Sequence, residues 1–241
     1  MRSIGDVSVP FRLADGTGVI LRPIAPSDRE YIRTGFRSMS PLSRNRRFFA
    51  YSPGLSDAQL SYLTEVDQIN HVAWVAVAGL QTPAPGLGVA RFVRMGEQTA
   101  IAEFSFAVID AMQRKGLGRA LLTMLYLSAA ERGVRILRAV CLPENQSVVN
   151  WLCRLGAEER GCSQETVELD LHVEEISNFS ATRGSTADRF ARSLDYLGRA
   201  LAEARAKPRS RSDNEYAGHD EPARHSTCNQ QRSIPKHETT P

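Results

Sequence analysis

The chain has 241 residues, 42% of them hydrophobic, and a net charge of +3, which suits one folded domain plus an appendage. Residues 1–180 carry 19 Lys/Arg against 19 Asp/Glu, whereas 181–241 carry 11 against 8, so the positive excess lies in the tail. A neutral folded part without a basic stripe argues against nucleic acid as the main partner.

The longest apolar run, Val72 to Leu80, is far short of a membrane span. Arg2 is followed by no apolar segment, so no signal peptide and no membrane association are expected. Cys141, Cys153, Cys162 and Cys228 form no C-x-x-C pair, which points to free thiols in a reducing cytosol and to no metal site. Cys141 and Cys153 fall inside elements and read as core thiols.

In chain order, Val19–Ile24 reads as a first strand. Pro26-Ser27-Asp28 starts a helix, capped by Ser27 or Asp28, with Tyr31, Ile32, Phe36 and Met39 as its apolar stripe. A short helical stretch begins around Pro41 and Ser43 and runs toward Phe48. Ser56-Asp57 caps the next helix, with Leu60, Leu63 and Val66 inward. Two strands follow, His71–Ala78 and Gly86–Val93, then a turn at 94–98 and a strand over Thr99–Ile109. Leu117–Arg132 is a helix closed by Gly133, Ile136–Leu142 a strand, Asn145–Leu155 a helix closed by Gly156, and Thr166–Val173 the last strand. Early hairpins followed by a βαβ unit over 99–142 predict an α+β fold, a mixed sheet with helices on both faces.

After Phe179 the composition shifts. Residues 185–207 read as an amphipathic helix carrying Phe190, Leu194, Leu197 and Leu201, placed either against the domain or against a second copy in a homodimer. Residues 209–241 are polar and Pro-punctuated, the composition of a disordered tail. The organisation expected is therefore an extension over 1–17, a domain over 18–175, a linker and helix over 176–208, and the tail.

Gln113-Arg114-Lys115-Gly116-Leu117-Gly118-Arg119 lies between an apolar strand and a long helix. The first-turn N–H groups of a helix have no internal partner, and the helix dipole adds positive potential there. Gly116 and Gly118 let a diphosphate approach the backbone, while Arg114, Lys115 and Arg119 supply charge. The third glycine of a dinucleotide fingerprint and the Gly-Lys-Ser/Thr of a P-loop are both missing. An ordinary loop-to-helix turn is the competing reading.

This segment resembles motif A of the GNAT acetyltransferase superfamily. Asn145, Val148, Trp151 and Gly156 are similarly spaced to that family's motif B. Leu21-Arg22-Pro23-Ile24, Ser40 through Phe49, Asp67 and His71 through Ala76 resemble the GNAT domain of bacterial protein lysine acetyltransferases of the Pat type, over roughly residues 18–172. The resemblance implies the GNAT fold, with two central strands splayed around the pantetheine of acetyl-CoA as co-substrate. It implies that the backbone of Phe106, Ala107 and Val108 and the side chain of Asn145 bind the pantetheine, and that residues 113–119 bind the diphosphate. Asn145 also suits a helix N-cap. The Tyr that many members place seven residues after that Asn is Leu152 here.

Glu103 stands in the otherwise apolar Ala102–Val108, where a carboxylate needs a partner or a cleft. About one lysine in a thousand is neutral at pH 7.5, so amine acetylation gains from a base. The resemblance implies that Glu103 is that base. The alternative is a structural Glu paired with an arginine such as Arg91. His71 reads as structural, and Arg46-Arg47 as a solvated face or ion-pair source. The acceptor implied is a protein lysine. A small amine, or an acyl-CoA-binding regulatory module with little turnover, are the alternatives.

Overall fold

Among the described residues, eight strands form one mixed sheet in the order β1-β2-β3-β4-β5-β6-β8-β7. The strands are β1 Val9–Arg12, β2 Gly18–Pro23, β3 His71–Val77, β4 Gly86–Arg94, β5 Ile101–Val108, β6 Ile136–Cys141, β7 Glu158–Cys162 and β8 Val167–His172. The computed structural model describes residues 7–49, 53–79, 86–96, 99–173 and 186–206. The tail over 209–241 and the linker before residue 186 lie outside the described residues. All strand pairs are antiparallel except β5 with β6.

The helices are α1 Arg29–Ser38, α2 Pro41–Phe48, α3 Asp57–Thr64, α4 Leu117–Glu131, α5 Gln146–Cys153 and α6 Thr186–Ala206. β3 shows why both faces need covering. Val72, Trp74 and Ala76 enter the core that contains α4, while Ala73, Val75 and Val77 enter a smaller core with Ile20, Ile24 and Ile32. Strict alternation thus places two apolar sets on opposite faces. The Trp74 indole is buried, and its N–H donates to Ser128 Oγ of α4 at 3.0 Å. On α4 itself, Leu117, Leu121, Leu122 and Leu125 are fully buried, each worth about 1.5–3 kcal/mol by transfer.

The described domain begins earlier than residue 18. β1 pairs with β2 from Val9↔Leu21 to Arg12↔Gly18, and Val7, Val9 and Leu13 are buried. The turn after β1 also reaches the loop before α4, where Ala14 N donates to Lys115 O at 3.3 Å and Lys115 Nζ pairs with Asp15 at 3.2 Å. Two bonds from Thr17, backbone first, hold the Asp15 carboxyl at about 2.

Asp28 does not cap α1 in the way its position suggests. It ends a short 3-10 turn over Pro26–Asp28, fully buried, and its carboxylate accepts both Arg22 amino groups at 2.6 and 2.7 Å and the Ala25 N–H at 2.8 Å. Ser56 caps α3 by accepting from Gln59 N, and the Gln59 side chain accepts from Ser56 N in return, a reciprocal capping box. Cys141 is buried, whereas Cys153, the last residue of α5, is exposed, so only the first is a core thiol.

The amphipathic helix 185–207 appears as α6. Phe190, Leu194, Leu197 and Leu201 are buried against the domain. Phe190 meets the Tyr126 ring edge-on at 5.6 Å, and Arg205 forms a double hydrogen bond to Glu131 at 2.6 and 2.9 Å. Of the two placements open to this helix, its apolar face takes the intramolecular one. Among the described residues, no helix is long and apolar enough to cross a membrane.

Candidate active site

The site begins where the sheet opens. β5 pairs with β6 only from Ile101↔Ile136 to Phe104↔Ala139, while its pairing with β4 continues to Val108↔Gly88. Past Phe104, the backbone of Ser105–Val108 therefore has no strand partner on the β6 side. The gap is a cleft of about 180 Å³ bounded by Glu103 through Val108, Gln113, Ala139 through Cys141, Asn145 and Leu152. Burial raises the Cys141 thiol in its wall to about 11, which keeps it protonated.

Gln113 ends a 3-10 turn over Asp110–Met112 and bridges the cleft mouth, with its amide donating to Val108 O at 3.2 Å and Ser43 Oγ at 3.3 Å. Arg114 and Gly116 follow with φ of +58° and +94°. Such left-handed backbone is natural for glycine and uncommon for arginine. Gly116 is the N-cap of α4 and makes no side-chain cap, so among the described residues no side chain satisfies the first-turn N–H groups. A Cβ on Gly118 would come no closer than 3.9 Å to another atom, the Phe106 ring, so nothing crowds that turn. Backbone donors, a positive helix end and room together fit a diphosphate.

The basic side chains of this loop are arranged less simply than the sequence suggests. Arg114 is exposed, Lys115 pairs with Asp15, and Arg119 Nε donates to Ser193 Oγ of α6 at 3.2 Å. Leu117 is fully buried and contributes its backbone alone. Burial, then Arg189 and Arg192, lower the Arg119 guanidinium.

Glu103 projects into the same cleft from β5 and is exposed. Arg138 stands opposite it in the parallel register but bonds Asp170 at 2.7 and 2.9 Å. Among the described residues no ion pair involves Glu103, and its pairing with Arg91 does not occur. Arg91 instead donates to Leu63 O at 3.0 Å and lies 3.1 Å from His71 Nε2. His71 is pushed down to about 4 by burial and then by Arg91, against a weaker pull from Asp67. It is neutral at pH 7 and accepts from Arg91 through Nε2, a structural role.

Asn145 occupies the N-cap position of α5, yet its side chain makes no cap bond. It is buried beside the cleft and its Oδ1 accepts from Ser147 Oγ at 3.4 Å. Leu152, where many GNAT members carry Tyr, is buried in the cleft wall, and among the described residues no phenol lines this cleft. Phe106 packs edge-on against Trp151 at 5.6 Å, which anchors the β5 tip to α5.

Three contributions went unrecognised in the sequence. Arg46 and Arg47 line the cleft instead of forming a solvated face. Asp110 accepts from Ser40 N at 2.8 Å, Ser40 Oγ at 3.0 Å and Ser43 Oγ at 2.8 Å, tying the start of α2 to the end of β5. Burial raises the Asp110 carboxyl, but the bonds from Ser40 and Ser43 outweigh it and hold it low. The Ser40-Pro-Leu-Ser43 cap followed by paired arginines was the available signal.

A mixed sheet with a gap between its only described parallel strands, a glycine-capped helix at one end of that gap and a carboxylate within it are the arrangement of the GNAT fold. The chain carries a GNAT domain: residues 42–157 match the acetyltransferase (GNAT) family. It is 35% identical over 149 residues to the acetyltransferase Pat of Mycolicibacterium smegmatis, across 62% of this chain and 44% of that protein. The chain thus matches less than half the length of that relative. It is 28% identical to acetyltransferase PA5475 of Pseudomonas aeruginosa, across 60% of this chain and 77% of that one. The crystal structure of the GNAT domain of S. lividans PAT superposes with a TM-score of 0.64 at 28% identity, covering 68% of this chain and 96% of that domain.

Proposed function

We propose that this protein transfers the acetyl group of acetyl-CoA to a primary amine, a lysine side chain of a protein, with Glu103 as general base. The observation that carries the reading is the coincidence of Glu103 with the opening between β5 and β6.

Bound acetyl-CoA would supply an acetyl group activated as a thioester. The first-turn N–H groups of α4 and the backbone of Gly116–Arg119 would hold its diphosphate, and Asn145 with the β6-facing backbone of Phe106, Ala107 and Val108 would hold its pantetheine. A backbone N–H at Val108 would also polarise the thioester carbonyl. Glu103 then has one task. It takes a proton from the acceptor ammonium, so that the amine presents its lone pair. An unpaired carboxylate open to the cleft is available for that proton, which one already bridged to Arg91 or Arg138 would not be. A thiol leaves with a pKa near 8.5, so departure proceeds without a phenol at Leu152.

The test is incubation of the purified protein with labelled acetyl-CoA, a cell-extract protein fraction and a panel of small amines. Label on lysines of particular proteins supports the reading. Label confined to small amines would change the acceptor, and no label in any fraction would defeat acetyl transfer.

A further inference from the structure

A second cavity lies on the face of the sheet away from α4. It is bounded by α1 through α3 above and β3, β4 and β5 below, and its walls are mainly apolar: Ile32, Phe36, Phe48, Leu63, Val75 and Val89. Two arginines interrupt this lining. Arg91 on β4 is 4% exposed and Arg47 on α2 is half-buried, and both border the cavity. The Nε–H of each is buried and bonds nothing.

Neither guanidinium is held in an ion pair, although Arg47 stacks over the Phe48 ring at 4.8 Å and feels the Glu103 carboxylate. Arg91 uses its two amino groups on a carbonyl oxygen and a neutral histidine, and among the described residues no ion pair involves Arg91 or Arg47. Burial, with the repulsion of Arg47, lowers Arg91 to about 9, and burial lowers Arg47 to about 10. Both therefore remain charged at pH 7. Arg91, with an unmet N–H donor in a mainly apolar chamber and a second cation beside it, is costly to bury unless an anion joins the two. Arginine N–H groups match a carboxylate in shape as well as charge.

We infer that this cavity is a binding site for a short organic carboxylate, its charged end on Arg91 and Arg47 and its apolar tail against Phe36, Leu63 and Val75. The cavity volume of about 50 Å³ sets the size. That is room for on the order of four waters, hence for an acid of a few carbons and not a long chain. Inorganic phosphate would leave the apolar walls unmatched. Met39, Arg47 and Ala107 border both this cavity and the cleft, so the carboxylate would lie beside the β5 tip. The inference does not depend on acetyl transfer, because the cavity is formed without it.

The test is calorimetric titration of the full chain with butyrate and isovalerate, each against its amide. The acids are expected to bind about ten- to a hundredfold tighter than the amides, the usual difference for a charged hydrogen bond. Arg91→Gln and Arg47→Gln should each abolish that preference. Arg47 is the less buried of the two, so Arg47→Gln decides the matter if Arg91→Gln fails to fold. Equal affinity for acid and amide, no saturable binding of either acid, or an unchanged preference in a folded variant would overturn the site. Where the protein turns over, competition between butyrate and the amine assigns the carboxylate to the acceptor itself. A non-competitive effect assigns it to a separate acid.

Discussion

Arg138 faces Glu103 across the parallel pairing of β5 and β6, yet both its hydrogen bonds go to Asp170 on β8. Asp170 thereby keeps the Arg138 cation from the carboxylate that the cleft exposes. A substitution at Asp170 should consequently alter Glu103 without touching it.

Replacing Glu103 by Gln keeps the shape and removes the basic oxygen. Turnover should drop by about 10²–10⁴-fold while acetyl-CoA affinity holds. The deficit should narrow as pH rises toward the amine's own pKa, where free amine accumulates unaided. A pH-independent loss with a lowered melting temperature would instead mark Glu103 as structural.

Asp170→Asn tests the shielding. Freed from its carboxylate, Arg138 becomes available to Glu103, and the base should become weaker. We expect the acid limb of the pH–rate profile to move to lower pH, with a reduced plateau. An unmoved limb would show that Arg138 keeps clear of Glu103 by itself. The Arg138 bonds also hold the Asp170 carboxyl below its ordinary value. The stability this pair contributes is present above the unfolded carboxylate pKa of about 3.9 and fades as pH falls through the folded value.

Gly116→Asp should abolish tight acetyl-CoA binding in calorimetry while circular dichroism stays native. Gly116→Ala separates backbone from charge. Its Cβ would come 3.3 Å from Arg119 Nη2 at a φ of +94°, a left-handed strain of about 1–2 kcal/mol. Affinity surviving Asp at this position would place the diphosphate elsewhere.

His71 gives a pH dependence of stability with a definite sign. Its folded pKa of about 4 lies below the ordinary 6.5, so between those values the unfolded chain binds a proton that the native protein refuses. Stability should rise with pH through that window. In His71→Gln, whose amide oxygen can still accept from Arg91, urea midpoints at pH 5 and pH 7 should draw closer together. An unchanged gap would relocate the titrating group.

Leu197→Ala probes the docking of α6. Leu197 is fully buried, and such truncations cost about 2–5 kcal/mol. A clear fall in the urea midpoint is expected. No change would mean that the helix sits on the domain without contributing to it.

Local chemistry made the loop before α4 legible. Gly116 needs a left-handed backbone and Gly133 ends the helix with one, so two glycines bracket α4 to within a residue. Glu103 was legible as a lone charge in an apolar strand. β7 was not, because Glu158 through Cys162 are all exposed and show no alternation to read. Nor was β1, four residues whose Pro10 speaks against a strand. The Arg47 and Arg91 pair was invisible for a different reason. The two stand 44 positions apart, and only the packing of α2 over β4 makes one the other's neighbour. The missing cap bond of Asn145 is likewise a matter of side-chain direction, which spacing does not encode.

Four residue pairs, Ile101↔Ile136 through Phe104↔Ala139, are all the strand pairing that joins the β1–β5 meander to the β6–β8–β7 ribbon among the described residues. Mechanically, the sheet is two stiff plates sharing a short seam, with α4 lying in the connection between them. Any force that pries the plates apart works on a lever whose fulcrum is Phe104. A small rotation there would widen the far end of the cleft while the meander and the ribbon keep their internal registers. The same seam that creates the opening thus sets its compliance.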